Sequence, residues 1–143
     1  MTHIMVPKPE RPTGVTILAI LGIIGGVFGL CGGIGIIGLA SSNLLANSSV
    51  HFNAGTLTIL GIIALVIAVG DLVFGIGALQ LMPWAWTLGV AIEGFGILYS
   101  IASIALLGSS VFTTGLSIIV SGIVIYYLFQ PQVQRAFGRA VAA

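Results

Sequence analysis

The chain has 143 residues, 58% hydrophobic and 5% charged, with a mean hydropathy of +1.24 and a net charge of +1. A water-soluble domain carries about 25% charged residues, so this composition excludes one and points to helices in a lipid bilayer. Four basic residues cannot track a phosphate backbone, which removes nucleic acid from the partners. The single cysteine, Cys31, rules out an internal disulfide and a cysteine-based zinc site, and reads as a small apolar membrane residue.

Residues 1–13 contain Pro7, Pro9 and Pro12 and are expected to form an extended cytoplasmic arm, with Thr13 capping the first helix. Membrane spans are expected over residues 14–40, 54–81, 84–107 and 111–129, the last stopped by Pro131. The first is longer than the ~7–15 residues of a signal-peptide hydrophobic region, so it is expected to be retained. Residues 41–53 make the only extended polar connection. Asn47-Ser48-Ser49 there matches a glycosylation sequon, a pattern short enough to arise by chance, and His51 stands alone as a solvated loop histidine. The resulting fold class is an all-α membrane protein. Its four transmembrane helices form two antiparallel hairpins, followed by a short C-terminal interfacial helix within residues 131–143.

Four spans place both termini on one side. Lys8, Arg11, Arg135 and Arg139 all fall there, so the positive-inside rule assigns that side of the cell membrane to the cytoplasm. Trp84 and Trp86 at the second connection, and Tyr126 and Tyr127 near the end of the fourth span, are expected at the membrane–water interface. In the tail, Val133, Ala136, Phe137, Ala140 and Val141 recur at helical spacing. That pattern suits a helix lying on the inner leaflet or on a partner, with Arg135 and Arg139 toward lipid phosphates.

Only two charged residues lie inside the spans, Asp71 and Glu93. They stand 11 residues either side of Met82, so a helical hairpin brings them to the same depth. At ~1.5 Å rise per residue that depth is ~16 Å from the turn, close to the middle of a ~30 Å hydrocarbon core. An isolated carboxylate costs ~2.5–3.5 kcal/mol there, which makes both residues functional candidates. No Lys, Arg or His lies within a span to neutralise them. They can be a protonated, hydrogen-bonded pair, partnered by each other, Ser100, Ser103 or backbone carbonyls. They can share one proton, or they can face a bound cation or a partner's basic residue. No intramembrane His or Cys accompanies them, so a metal site, a haem and a Ser-His-Asp triad are not expected. No catalytic residue, cofactor or enzyme activity is assigned.

Small residues line one face of each of the first three spans. Gly22, Gly26, Gly29 and Gly33 follow 4-3-4 spacing; Gly61, Ala64, Ala68, Asp71, Gly75 and Ala78 follow 3-4-3-4-3; Gly89, Glu93, Gly96, Ser100 and Ser103 follow 4-3-4-3. Such faces pack against helices rather than lipid. The run Gly33-Ile34-Gly35-Ile36-Ile37-Gly38 matches the dinucleotide fingerprint letter for letter. It lies inside an apolar span, however, and the next acid is Asp71, so nucleotide binding is not expected.

Three blocks together resemble a family of small four-span membrane proteins, mainly archaeal, with no assigned function. They are Arg11-Pro12-Thr13-Gly14-Val15-Thr16-Ile17-Leu18-Ala19-Ile20-Leu21, then Trp84-Ala85-Trp86-Thr87-Leu88-Gly89, then Tyr126-Tyr127-Leu128 with Pro131, Val133 and Phe137-Gly138-Arg139. The resemblance implies a pair of helical hairpins in an archaeal membrane and carries over no catalytic residue. It also implies a basic residue in the turn before Trp84, where this chain has Gln80-Leu81-Met82-Pro83. Two functions are therefore expected. The first is a non-catalytic accessory subunit of a larger membrane complex of oxidase, oxygenase or respiratory type, meeting other subunits through the Gly22/Gly26/Gly29/Gly33 face or the tail. The alternative is a small conduit or carrier for protons or cations, homo-oligomeric, using Asp71 and Glu93.

Overall fold

The computed structural model describes residues 10–42 and 53–138. Lys8, the Asn47 sequon, His51 and Arg139 lie outside the described residues. The described chain forms five helices: α1 (Thr13–Ser41), α2 (Ala54–Leu79), α3 (Pro83–Leu107), α4 (Val111–Leu128) and α5 (Pro131–Ala136). The first four are long and apolar enough to cross a membrane.

Local chemistry sets the helix ends. Pro12, in extended conformation, lends its carbonyl to the amides of Val15 and Thr16 at 2.9 and 3.3 Å. Thr13 is therefore the first helical residue rather than the cap it was expected to be. Proline suits this place because its fixed φ leads directly into the helix. Asn53 caps α2 by accepting the Gly55 amide at 2.9 Å, and Pro83 and Pro131 occupy the first positions of α3 and α5, where no amide partner is needed. α2 ends in a tight reversal: the Leu81 amide bonds the Ala78 carbonyl at 3.1 Å and the Met82 amide the Gly77 carbonyl at 3.0 Å. That geometry puts Leu81 at φ 53°, a left-handed conformation usually given to glycine. Gly108 ends α3 at φ 61° in the ordinary way.

α1 and α2 lie closest together. Gly22 rests on the Asp71 carbonyl and Phe74, Gly26 on Leu72 and the Ala68 carbonyl, Gly29 on Ala68, and Gly33 on Leu65 and the Gly61 carbonyl. In return Gly75 meets Ala19 and Ile23, and Gly61 meets Ile37. Positions rise along one helix as they fall along the other. The glycine face of α1 was expected to meet another chain. It is occupied by α2 of the same chain, because only glycine lets the two backbones come this near. α3 leans on α2 through Ala85 and Trp84 at Gly77, Gly89 at Phe74, and Ile92 at Gly70.

The main buried cluster gathers at one end. Val15 and Ala19 come from the start of α1, Phe74 and Ala78 from the end of α2, Ala85, Trp86 and Ile92 from α3, and Leu128 from the end of α4. Val133 and Phe137, from α5 and the residue after it, complete the cluster and are fully buried. This corrects the expectation of a tail helix lying on the leaflet or on a partner: its apolar side is folded into its own bundle. Burying a valine and a phenylalanine stabilises the chain by about 1.5–3 kcal/mol each relative to leaving them in water. Arg135 is left exposed on the outer side of α5. Around the rest of the chain, Phe28, Val66, Phe95 and Phe112 are 64–77% exposed, as lipid-facing side chains are.

Candidate functional site: a vestibule ending at two carboxylates

Away from the packed end, the helices enclose space. Asp71 of α2 and Glu93 of α3 line one cavity of about 600 Å³, whose other walls include Leu18, Leu21 and Gly22 of α1 and Thr113, Ser117 and Ser121 of α4. The same two carboxylates line a second cavity of about 420 Å³, with Ala68, Gly96, Tyr99, Ser100, Ser117 and Ser121. A third, of about 500 Å³, continues through Tyr99, Ser100, Ser103, Thr113, Thr114 and Ser117 to Ser109 and Ser110, in the connection between α3 and α4. Ser117 borders all three. The three cavities thus lie in series from the acid pair toward the α3–α4 connection.

Hydroxyl groups dominate the polar wall. Ser121 donates to the Glu93 carboxylate across the α3–α4 contact. Ser103 and Ser117 turn back on their own helices, donating to the carbonyls of Tyr99 and Thr113 at 2.9 and 3.3 Å. No basic side chain borders any of the three cavities. Among the described residues there is also no group of three or more His, Cys, Asp or Glu able to hold a metal ion.

Sequence reasoning named Asp71 and Glu93, and the structure brings both to the same two cavities. It named Ser100 and Ser103 as hydrogen-bond partners of the acids; Ser103 is instead engaged with Tyr99, and Glu93 is met by Ser121. It expected α4 as a span but assigned none of its side chains to the acid site. The signal was present: Ser110, Thr114, Ser117 and Ser121 recur at steps of four, three and four residues, with Thr113 beside them, which lays hydroxyls along one face. Gly22, Gly26, Gly29, Gly33, Gly61, Gly75 and Gly89 all sit against a neighbouring helix. Gly96, expected to pack as well, faces the second cavity with nothing within 4 Å of where a side chain would begin.

The aromatic residues divide by burial. Trp84 and Tyr126 are 48% and 72% exposed, whereas Trp86 is 7% exposed. The Trp86 indole Nε1 donates to the Leu128 carbonyl at 2.6 Å, and its ring stands edge-on to Phe129 at 5.0 Å. Trp86 thus satisfies one of the open carbonyls at the end of α4 and ties α3 to it. The Tyr127 hydroxyl lies directly over Gly14, which joins the start of α1 to the same end.

The class these features define is an all-helical, multi-pass membrane protein with cavities that carry serine and threonine hydroxyls beside a pair of acids. No known protein family, curated protein or solved structure matches the chain.

Proposed function

We propose that the protein is a small conduit or carrier that admits protons or small cations to Asp71 and Glu93. In this reading its four spans stand as two antiparallel hairpins in a cell membrane, archaeal by the sequence resemblance, with both termini cytoplasmic. One observation carries it: three cavities that share Ser117 lie in series between Ser109 and Ser110 and the two carboxylates, with serine and threonine hydroxyls set among otherwise mainly apolar walls. Carboxylates sealed in hydrocarbon would be costly, whereas carboxylates reached by water and hydroxyls can exchange a proton or an ion. The glycine face and tail that favoured a subunit role are both used within the chain.

Purified and reconstituted in liposomes, the chain is expected to dissipate an imposed proton or sodium gradient. The double variant Asp71→Asn, Glu93→Gln keeps shape and hydrogen bonding while removing the ionisable groups. It should insert and fold as the parent does and leave only background leak. Equal flux from parent and variant, or none from the parent, would sink the proposal.

The accessory-subunit reading retains one supporting observation. Leu21 and Gly25 of α1 and Leu116 and Val120 of α4 border the first cavity without closing it, which leaves room for a helix from another membrane protein. That reading expects stoichiometric co-purification of a second membrane protein from native membranes in mild detergent.

A further inference from the structure

The two ends of the bundle differ in kind. At the α3–α4 connection the path is bordered by Ser109, Ser110 and Thr114, and Ser110 is exposed. At the opposite end, Val15, Ala19, Ala78, Ala85, Leu128, Val133 and Phe137 have at most 1% of their surface exposed. Phe137 and Val133 belong to the segment after α4 and are buried in one cluster with residues from the ends of the four long helices. The innermost cavity stops at Leu18, Phe74 and Val124, and the buried cluster follows directly in each of those helices. Water that enters beside Ser110 therefore meets carboxylates and then a dry apolar plug.

We infer that access to the acid pair is one-sided, from the α3–α4 connection, and that α5 with Phe137 is the seal whose release opens the other side. This inference regulates the same site and rests on the conduit reading above. α5 is a single short helix held by the buried side chains Val133, Ala136 and Phe137 and by one hydrogen bond, Gln134 Nε2 to the Phe129 carbonyl at 2.9 Å, rather than by a long helix–helix interface. Its hinge is Gln130-Pro131, where the backbone leaves the helical conformation. The release gives up packed apolar contact and the Gln134–Phe129 hydrogen bond, and it unwinds no helix.

Thiol accessibility tests this without any flux measurement, so its failure and the failure of the conduit reading are separable. In a Cys31→Ala background, Ser117→Cys places a probe on the wall shared by all three cavities. Ser110→Cys marks the connection side, and Arg135→Cys the terminus side. A membrane-impermeant, positively charged methanethiosulfonate is applied to right-side-out and inside-out vesicles. The expected result is that position 117 reacts in the preparation that labels position 110 and stays unreacted in the one that labels position 135. Ending the chain after Gln130, or the single change Phe137→Ala, should raise labelling of position 117 from the terminus side at least tenfold. Phe137→Leu should keep the seal, and Phe137→Ala decides the matter if the shortened chain does not accumulate. Labelling of position 117 from the terminus side in the intact chain, no labelling from either side, or an unchanged pattern in Phe137→Ala would overturn the inference.

Discussion

Gly26→Leu should break the α1–α2 pair, whereas Gly32→Leu, six residues along the same helix, should leave it intact. A Cβ at Gly26 would lie 2.6 Å from Leu72 Cγ and 2.9 Å from the Ala68 carbonyl oxygen. Rotating Leu72 can relieve the first contact. The second is with backbone and yields only if the helices separate, so even Gly26→Ala should be felt. Overpacking of this kind typically costs about 1–3 kcal/mol, and a leucine on a glycine-only contact belongs at the upper end. Gly32 and Gly38 have nothing within 4 Å, so leucine there meets open space. Unfolding of the purified chain in mixed detergent with rising SDS reads the difference. Equal stability of Gly26→Leu and Gly32→Leu would mean that the glycine face does not hold these helices together.

Trp86→Ala should be the most damaging change at the closed end. It removes a nearly buried indole, deletes the hydrogen bond to the Leu128 carbonyl and unstacks Phe129. Large-to-small changes at a buried aromatic cost about 3–5 kcal/mol. Trp86→Phe separates the terms: the ring largely stays, the donor goes, and a buried carbonyl loses its partner for about 1–3 kcal/mol. Trp84→Ala is the control, since that ring is half exposed and covers only Gly77 and its surroundings. Thermal unfolding in detergent should rank the three as Trp86→Ala, Trp86→Phe, Trp84→Ala, in falling order of damage. A reversed order would remove Trp86 from the closed end's core.

The all-helical class was legible because nearly every span residue is apolar and the breaks carry proline, glycine or a capping side chain, as at Pro12, Asn53, Pro83, Gly108 and Pro131. Asp71 and Glu93 were legible because nothing else charged stands in an apolar span. Other features were hidden for physical reasons. Whether a smooth glycine face meets its own chain or another depends on tertiary contacts that spacing leaves open, and here α2 takes it. An amphipathic tail looks the same whether its apolar side meets lipid or the bundle; Val133 and Phe137 show which. The α4 hydroxyls escaped notice because serine and threonine are tolerated in apolar spans, where they satisfy themselves on their own backbone. A reading that asked which face of α4 carries them would have found the wall opposite Glu93.

That self-satisfaction decides the sign of what the interior welcomes. A hydroxyl has one hydrogen to give and two lone pairs to offer. Ser103 and Ser117 give theirs to the carbonyls of Tyr99 and Thr113, and Ser121 gives its own to Glu93. With those hydrogens committed, Ser117 and Ser121 turn oxygen lone pairs toward the two cavities that hold the acids, and Ser103 does so in the third, beside further hydroxyls of Tyr99, Ser100, Thr113 and Thr114. Under the proposed conduit role, the acceptors nearest the acids, which are the Ser117 and Ser121 oxygens and the carboxylates themselves, would favour hydronium or a small hard cation over an anion at that point.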